Sequence, residues 1–122
     1  MRIKAAFLSV EDTPPDLILS FAEPGDSPVE CQSLILIRTK KYEKLQYEFE
    51  RGVNISWEGD QEEREFDEVM TSFKWNHTLA TISSPDRTIE VDLSDIPKDD
   101  LKKMKRILKK MNSDKCFELK KV

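Results

Sequence analysis

Few side chains in this sequence are suited to acid–base or nucleophilic chemistry. His77 is the one histidine in 122 residues, and Cys31 and Cys116 are the only cysteines. Any imidazole-based proton transfer would have to use His77, yet its neighbour Asn76 marks a turn, and no Ser or Cys nucleophile adjoins it. Two cysteines this far apart make no disulfide framework; they read as one buried small hydrophobe and one thiol near the C-terminus, with their redox state left open. Carboxylates are concentrated in residues 58–68, EGDQEEREFDE, which hold seven acids and one Arg in eleven positions. The Asp-x-Asp-x-Asn-Gly spacing of a calcium loop is absent, and no His or Cys cluster offers zinc a site. Gly25, Gly52 and Gly59 are the only glycines, so there is no glycine-rich phosphate loop. The sequence therefore points to no cofactor, no metal and no enzyme. The acidic run reads either as a solvated loop or as a docking surface for a basic partner. On the second reading the partner-binding residues are Asp60, Glu62, Glu63, Glu65, Asp67 and Glu68.

The net charge of −4 conceals an asymmetry. Residues 1–96 carry 10 Lys and Arg against 20 Asp and Glu, whereas residues 97–122 carry 10 against 4. The two ends of the chain thus present opposite fields. The basic end contains Lys98, Lys102, Lys103, Lys105, Arg106, Lys109 and Lys110, which could meet nucleic acid or an anionic membrane. No aromatic residues interleave with them for base stacking, and lysines on an outer helix face are ordinarily solvated, so neither partner is expected. No apolar run approaches the ~20 residues of a membrane span. The N-terminal MRIKAAFLSVED turns acidic too soon for a secretory segment, which makes the cytoplasm the default compartment. A chain of this length fits one domain, residues 1–122, as a monomer or homodimer.

These residues need elements to position them. Residues 2–10 alternate at Ile3, Ala5 and Phe7 and form a first strand; Thr13-Pro14-Pro15-Asp16 turns the chain into a second, antiparallel strand through Leu17, Leu19 and Phe21. Residues 33–39, SLILIRT, are the densest β-forming run, apolar on both faces as in a covered central strand. Residues 40–50 fit a helix through Tyr42, Leu45 and Phe49 or a strand through Leu45, Tyr47 and Phe49. The strand accounts for all three apolar residues after Lys44 and makes a hairpin with Val53, Ile55 and Trp57 around Arg51-Gly52, with glycine supplying φ > 0. Three strands follow at 66–74, 78–84 and 87–93, with turns at Asn76-His77 and Ser84-Pro85-Asp86. Pro97, Asp99 and Asp100 then open a helix over about 97–111 that gathers Leu101, Met104, Ile107, Leu108 and Met111 into an arc of roughly 120°. Residues 116–119 read as a short last strand or a packed tail. The expected fold is α+β: an antiparallel sheet of six to eight strands, strongly curved or barrel-like, against one C-terminal amphipathic helix.

Two resemblances follow from this order of segments. The strand closing in arginine, LILIRTK (residues 34–40), leads to the polar-aromatic YEKLQYEFERG, then to Gly59-Asp60-Gln61, two alternating strands and a terminal helix. Over residues 34–111 this resembles one of the small α+β immunity-protein families encoded beside bacterial polymorphic toxins. The resemblance implies a non-enzymatic cytoplasmic protein that binds and neutralises a cognate toxin. Immunity proteins of acidic character commonly face basic nuclease toxins, which suits the acidic run. The alternative is topological: about seven strands and a C-terminal helix resemble a pleckstrin-homology-type barrel, which implies an adaptor for a lipid headgroup or a peptide.

Overall fold

The computed structural model describes residues 2–25, 32–45, 51–58 and 68–122. In chain order the strands are β1 (Arg2–Lys4), β2 (Phe7–Thr13), β3 (Asp16–Glu23), β4 (Gln32–Thr39), β5 (Asn54–Glu58), β6 (Glu68–Val69), β7 (Ser72–Trp75), β8 (Leu79–Ser83) and β9 (Thr88–Asp92). The helix α1 (Lys98–Met111) and a last strand, β10 (Glu118–Lys121), complete the order, and a 3-10 helix covers Lys40–Leu45.

Instead of one curved or barrel-like sheet, two five-stranded sheets form. The first runs β1-β9-β8-β7-β10 and the second β2-β3-β4-β5-β6. The chain passes between them at two corners where adjacent residues bond to different sheets. Ala5 N–H donates to the Asp92 carbonyl at 3.0 Å, while Ala6 N–H donates to Ala22 at 2.9 Å. At the other corner Met70 N–H reaches Val53 at 2.8 Å and Thr71 N–H reaches Ser83 at 2.7 Å. Side-chain alternation slips by one residue at each corner. Ile3 and Ala5 face the core before the first and Leu8 and Val10 after it, while Met70 faces it before the second and Phe73 and Trp75 after it. The strands expected over 2–10 and 66–74 each divide in two, and Phe7 is exposed rather than aligned with Ile3 and Ala5. The sheets are also not purely antiparallel, because β1 joins β9 and β10 joins β7 in parallel.

Local chemistry accounts for the remaining elements. Pro14 and Pro15 close the β2–β3 hairpin, in which Thr13 faces Asp16. The Asn76 Oδ1 accepts from the N–H groups of Thr78 and Leu79 at 2.8 and 2.9 Å, which turns β7 into β8. Ser84 Oγ accepts from Asp86 and Arg87 N–H at 3.3 and 3.2 Å and turns β8 into β9. In the meander, Phe73 faces Ile82 and Ile82 faces Ile89, with all three buried. Pro97 opens α1, Asp99 and Asp100 lie in its first turn, and Lys109 and Lys110 lie in its last.

The strand expected after Lys44 does not extend over Lys44 and Leu45, which belong to the 3-10 helix; residues 46–50 lie outside the described residues. β5 pairs directly with β4, so no strand can stand between them in this sheet. Leu45, the first of the residues that suggested a strand, is exposed, as is Tyr42. Gly52 does adopt φ 122, where a Cβ would meet Val69 Cγ1 at 3.2 Å.

One apolar cluster joins both sheets to α1. Leu101, Met104, Ile107, Leu108 and Met111 are all buried, as their helical spacing requires, and the helix lies against β2 and β3. Met104 and Leu108 are fully enclosed. Replacing either by Asp loses a core side chain and buries a charge, and should cost at least ~3 kcal/mol. Urea unfolding checks this; an unchanged midpoint in either variant would remove the helix from the core.

Candidate functional site

The expected docking residues separate on inspection. Glu68 is buried, and its Oε1 accepts from Arg87 Nε at 2.9 Å. The register explains its position: Glu68 faces Ile55 across the β5–β6 pair, and cross-strand partners share one face of a sheet, here the core face. This carboxylate therefore does not belong to an exposed patch; it fastens β6 to the turn before β9. Asp60, Glu62, Glu63, Glu65 and Asp67 lie outside the described residues. Their two anchors are described. The segment leaves from β5 and returns at β6, the edge of the second sheet opposite β2 and β3, on which α1 rests. With strands about 4.8 Å apart, the acidic and basic parts of the chain are rooted on the order of 15 Å apart across this sheet.

Sequence reasoning missed the charged centre at Arg38. Arg38 follows Leu34 and Leu36 at strand spacing, so its side chain points into the core with theirs, and it is only 3% exposed. That period-2 continuation was the available signal. All three guanidinium nitrogens are engaged. Nε and Nη2 donate to Glu43 at 3.1 and 2.8 Å. Nη1 and Nη2 donate to the two oxygens of Asp114, both at 2.7 Å. Nη1 also donates to the Met111 carbonyl at 2.5 Å, where a cation offsets the negative end of α1. Glu43 in turn accepts from Gly52 N–H at 3.2 Å. The 3-10 helix has a physical cause here, since Glu43 must fold back to reach an arginine five residues earlier.

The hydrogen bonds to Asp114 push the Arg38 pKa further up, and the bond from Arg38 holds Asp114 well below the usual carboxylate range. The Cys116 sulfur lies 3.1 Å from Nη1 in an exposed residue, and partial desolvation of the thiol pushes its pKa up against the pull of that cation. Cys31 lies outside the described residues. His77 is exposed in the β7–β8 turn beside the N-terminal half of α1, whereas Asp114 and Cys116 follow its C-terminus. The imidazole and thiol therefore do not converge.

A third feature is a cleft of about 250 Å³ lined by Trp75, His77, Lys98, Leu101, Lys102, Lys105 and Lys121. It splits the basic helix face, since Lys103 and Arg106 lie on the other flank near Asp12, which pairs with Lys110. Among the described residues no group of His, Cys, Asp and Glu could hold a metal, and no helix is long and apolar enough to cross a membrane. Comparison with protein-family models, with curated proteins and with solved structures returned no match.

Arg38→Met would leave Glu43 and Asp114 without their common partner and should destabilise the protein by at least ~2 kcal/mol, since half-removed buried ion pairs are costly. Adding Glu43→Leu should recover part of that loss, because the second buried charge goes too. Urea titration of both variants tests this, and an equal or larger loss in the double variant would refute it. The Asp114 shift also fixes a pH dependence. Its folded pKa lies below the unfolded one, so the unfolded chain takes up the proton first on acidification. Its stabilisation is present at neutral pH and is lost as pH falls below about 4. The stability gap between the native protein and Asp114→Asn should accordingly be flat near neutrality and close in acid.

Proposed function

We propose that this is a non-enzymatic binding protein whose acidic segment docks a basic partner, and that in its specific form it is a cytoplasmic immunity protein that neutralises a cognate bacterial toxin domain. The supporting observation is the placement of the segment: seven acids in eleven residues, rooted at the sheet edge away from the basic helix. Separation across the sheet keeps that helix from neutralising the run at its root. Repulsion among neighbouring carboxylates is relieved when a cationic surface meets them. The Glu68–Arg87 pair anchors one end of the segment to the protein body, which gives a partner a fixed base to dock against. The docking residues are then Asp60, Glu62, Glu63, Glu65 and Asp67, with Glu68 in a supporting position.

Catalysis is the weaker reading, because His77 and Cys116 lie at opposite ends of α1. The adaptor alternative draws no support from a closed barrel, since the two sheets here are open.

Long-range attraction would govern the rate of association, and a few desolvated pairs would set the lifetime of the complex. Reversing Glu62, Glu63 and Glu65 to Lys together should leave folding nearly intact, since exposed charges rarely contribute more than ~1 kcal/mol each. The triple variant should associate about tenfold more slowly at low salt with the toxin encoded beside it, and should fail to protect cells that co-express that toxin. Full protection at an unchanged association rate would show that the binding surface lies elsewhere.

A further inference from the structure

The cations of α1 fall on two flanks of its buried stripe, and the flanks differ in what they face. On one, Lys110 pairs with Asp12 of β2. On the other, Lys98, Lys102 and Lys105 follow one another at helical spacings of four and three, so that they form a single row. This row is one wall of the cleft. The opposite wall comes from the end of the first sheet. Lys121 lies in register with Trp75 across the β7–β10 pair, and its Nζ stands 5.3 Å from the indole centroid. His77 meets the same indole edge-on with centroids 6.5 Å apart. Trp75 is itself buried, so it forms a floor together with Leu101.

None of Lys98, Lys102, Lys105 and Lys121 has a carboxylate within ion-pair distance among the described residues. The chain as a whole has more acids than bases, 24 against 20. Four ammonium groups around one concavity with no acid between them repel one another, and lysines at i and i+4 destabilise the helix that carries them. A bound anion removes that repulsion. The cations are ammonium groups, compact point charges suited to phosphate oxygens, without the planar fork that favours a single carboxylate. They stand on both walls, so one phosphate group would not satisfy them all. The cleft is smaller than the ~300 Å³ at which drug-sized sites begin, which favours a compact ligand.

We propose that the cleft between α1 and the β7–β10 edge binds a small anion carrying two or more phosphate groups. Lys98, Lys102 and Lys105 hold it from the helix and Lys121 from β10. His77 adds an N–H donor, and Trp75 and Leu101 pack beneath it. This site is independent of the acidic segment, and either can fail without the other.

Because His77 is the only histidine, its ring resonances report on the cleft alone. Pyrophosphate and inositol hexakisphosphate are titrated separately at constant ionic strength, with sulfate as the control anion. A saturable shift of the His77 signals by at least one phosphate probe, not reproduced by sulfate, is the expected result. Lys102→Glu with Lys105→Glu should weaken binding at least about tenfold, whereas Lys103→Glu with Arg106→Glu, the same charge change on the other flank, should change it by less than about twofold. Lys102→Gln with Lys105→Gln, checked for folding by circular dichroism, replaces the first pair if it unfolds. Vesicles containing phosphatidylinositol bisphosphate identify the source of the phosphate: sedimentation that the Lys102 and Lys105 changes abolish assigns the site to a lipid headgroup, and its absence assigns it to a soluble ligand. Equal weakening by both charge-reversed pairs, or no saturable shift with any phosphate probe and no such sedimentation, overturns the proposal.

Discussion

A guanidinium closed off from water holds three separated parts of this chain together. Arg38 lies one residue before the end of β4, the middle strand of its sheet, and its donors reach Glu43 in the 3-10 helix, the last carbonyl of α1 and Asp114 beyond it. A buried arginine is costly to desolvate, so its burial is tolerable only because its nitrogens have charged or carbonyl partners. The consequences extend along the chain. Holding the C-terminal end of α1 against β4 sets where the chain turns back through Asn112, whose side chain accepts from Phe117 N–H at 3.1 Å. From there β10 runs parallel to β7 and brings Lys121 beside Trp75. The lysine cleft is therefore built at one end of the helix by an ion cluster at the other.

The two sheets share one core because the chain crosses between them twice, at Ala5-Ala6 and at Met70-Thr71. At each crossing the hydrogen bonds change partners within one residue and the inward-facing side chains shift from one alternate set to the other, from Ile3 and Ala5 to Leu8 and Val10 and from Met70 to Phe73 and Trp75. Glu68 sits just before the second crossing, which is why a carboxylate there pairs with Arg87 on the other sheet. That ion pair, unlike the exposed Arg2–Glu90 or Lys4–Asp95 pairs, is shielded from solvent and helps fix the angle between the layers.

Charge is divided spatially as well as along the sequence. The acidic segment is rooted at β5 and β6, the helix rests on β2 and β3, and the helix itself separates lysines facing Asp12 from lysines facing the cleft. A small protein with opposite fields on different surfaces can orient two kinds of partner without their competing. This supports reading the acidic segment and the lysine cleft as separate surfaces with different ligands, a cationic protein for one and a small phosphorylated anion for the other.

The local elements were legible in the sequence because their signals are local. The spacing of Leu101, Met104, Ile107, Leu108 and Met111 determines the buried face of α1, and Asn76, Ser84 and the Pro14-Pro15 pair determine their turns through side-chain acceptors or missing donors. Only the tertiary structure decided how the strands divide, since hydrogen-bond partners are chosen across space and a one-residue slip in apolar alternation after Ala5 and after Met70 is the sole local trace of the switch. The same holds for the charged residues. Composition made residues 58–68 a single acidic run, but pairing with Ile55 turned Glu68 inward, and a helix face that looked uniformly basic became two surfaces when it met β2 on one side and β7 with β10 on the other. Arg38 shows the limit most directly. Its place in the period of Leu34 and Leu36 points it inward, but an inward arginine needs partners, and Asp114 comes from the far end of the chain, 76 residues on.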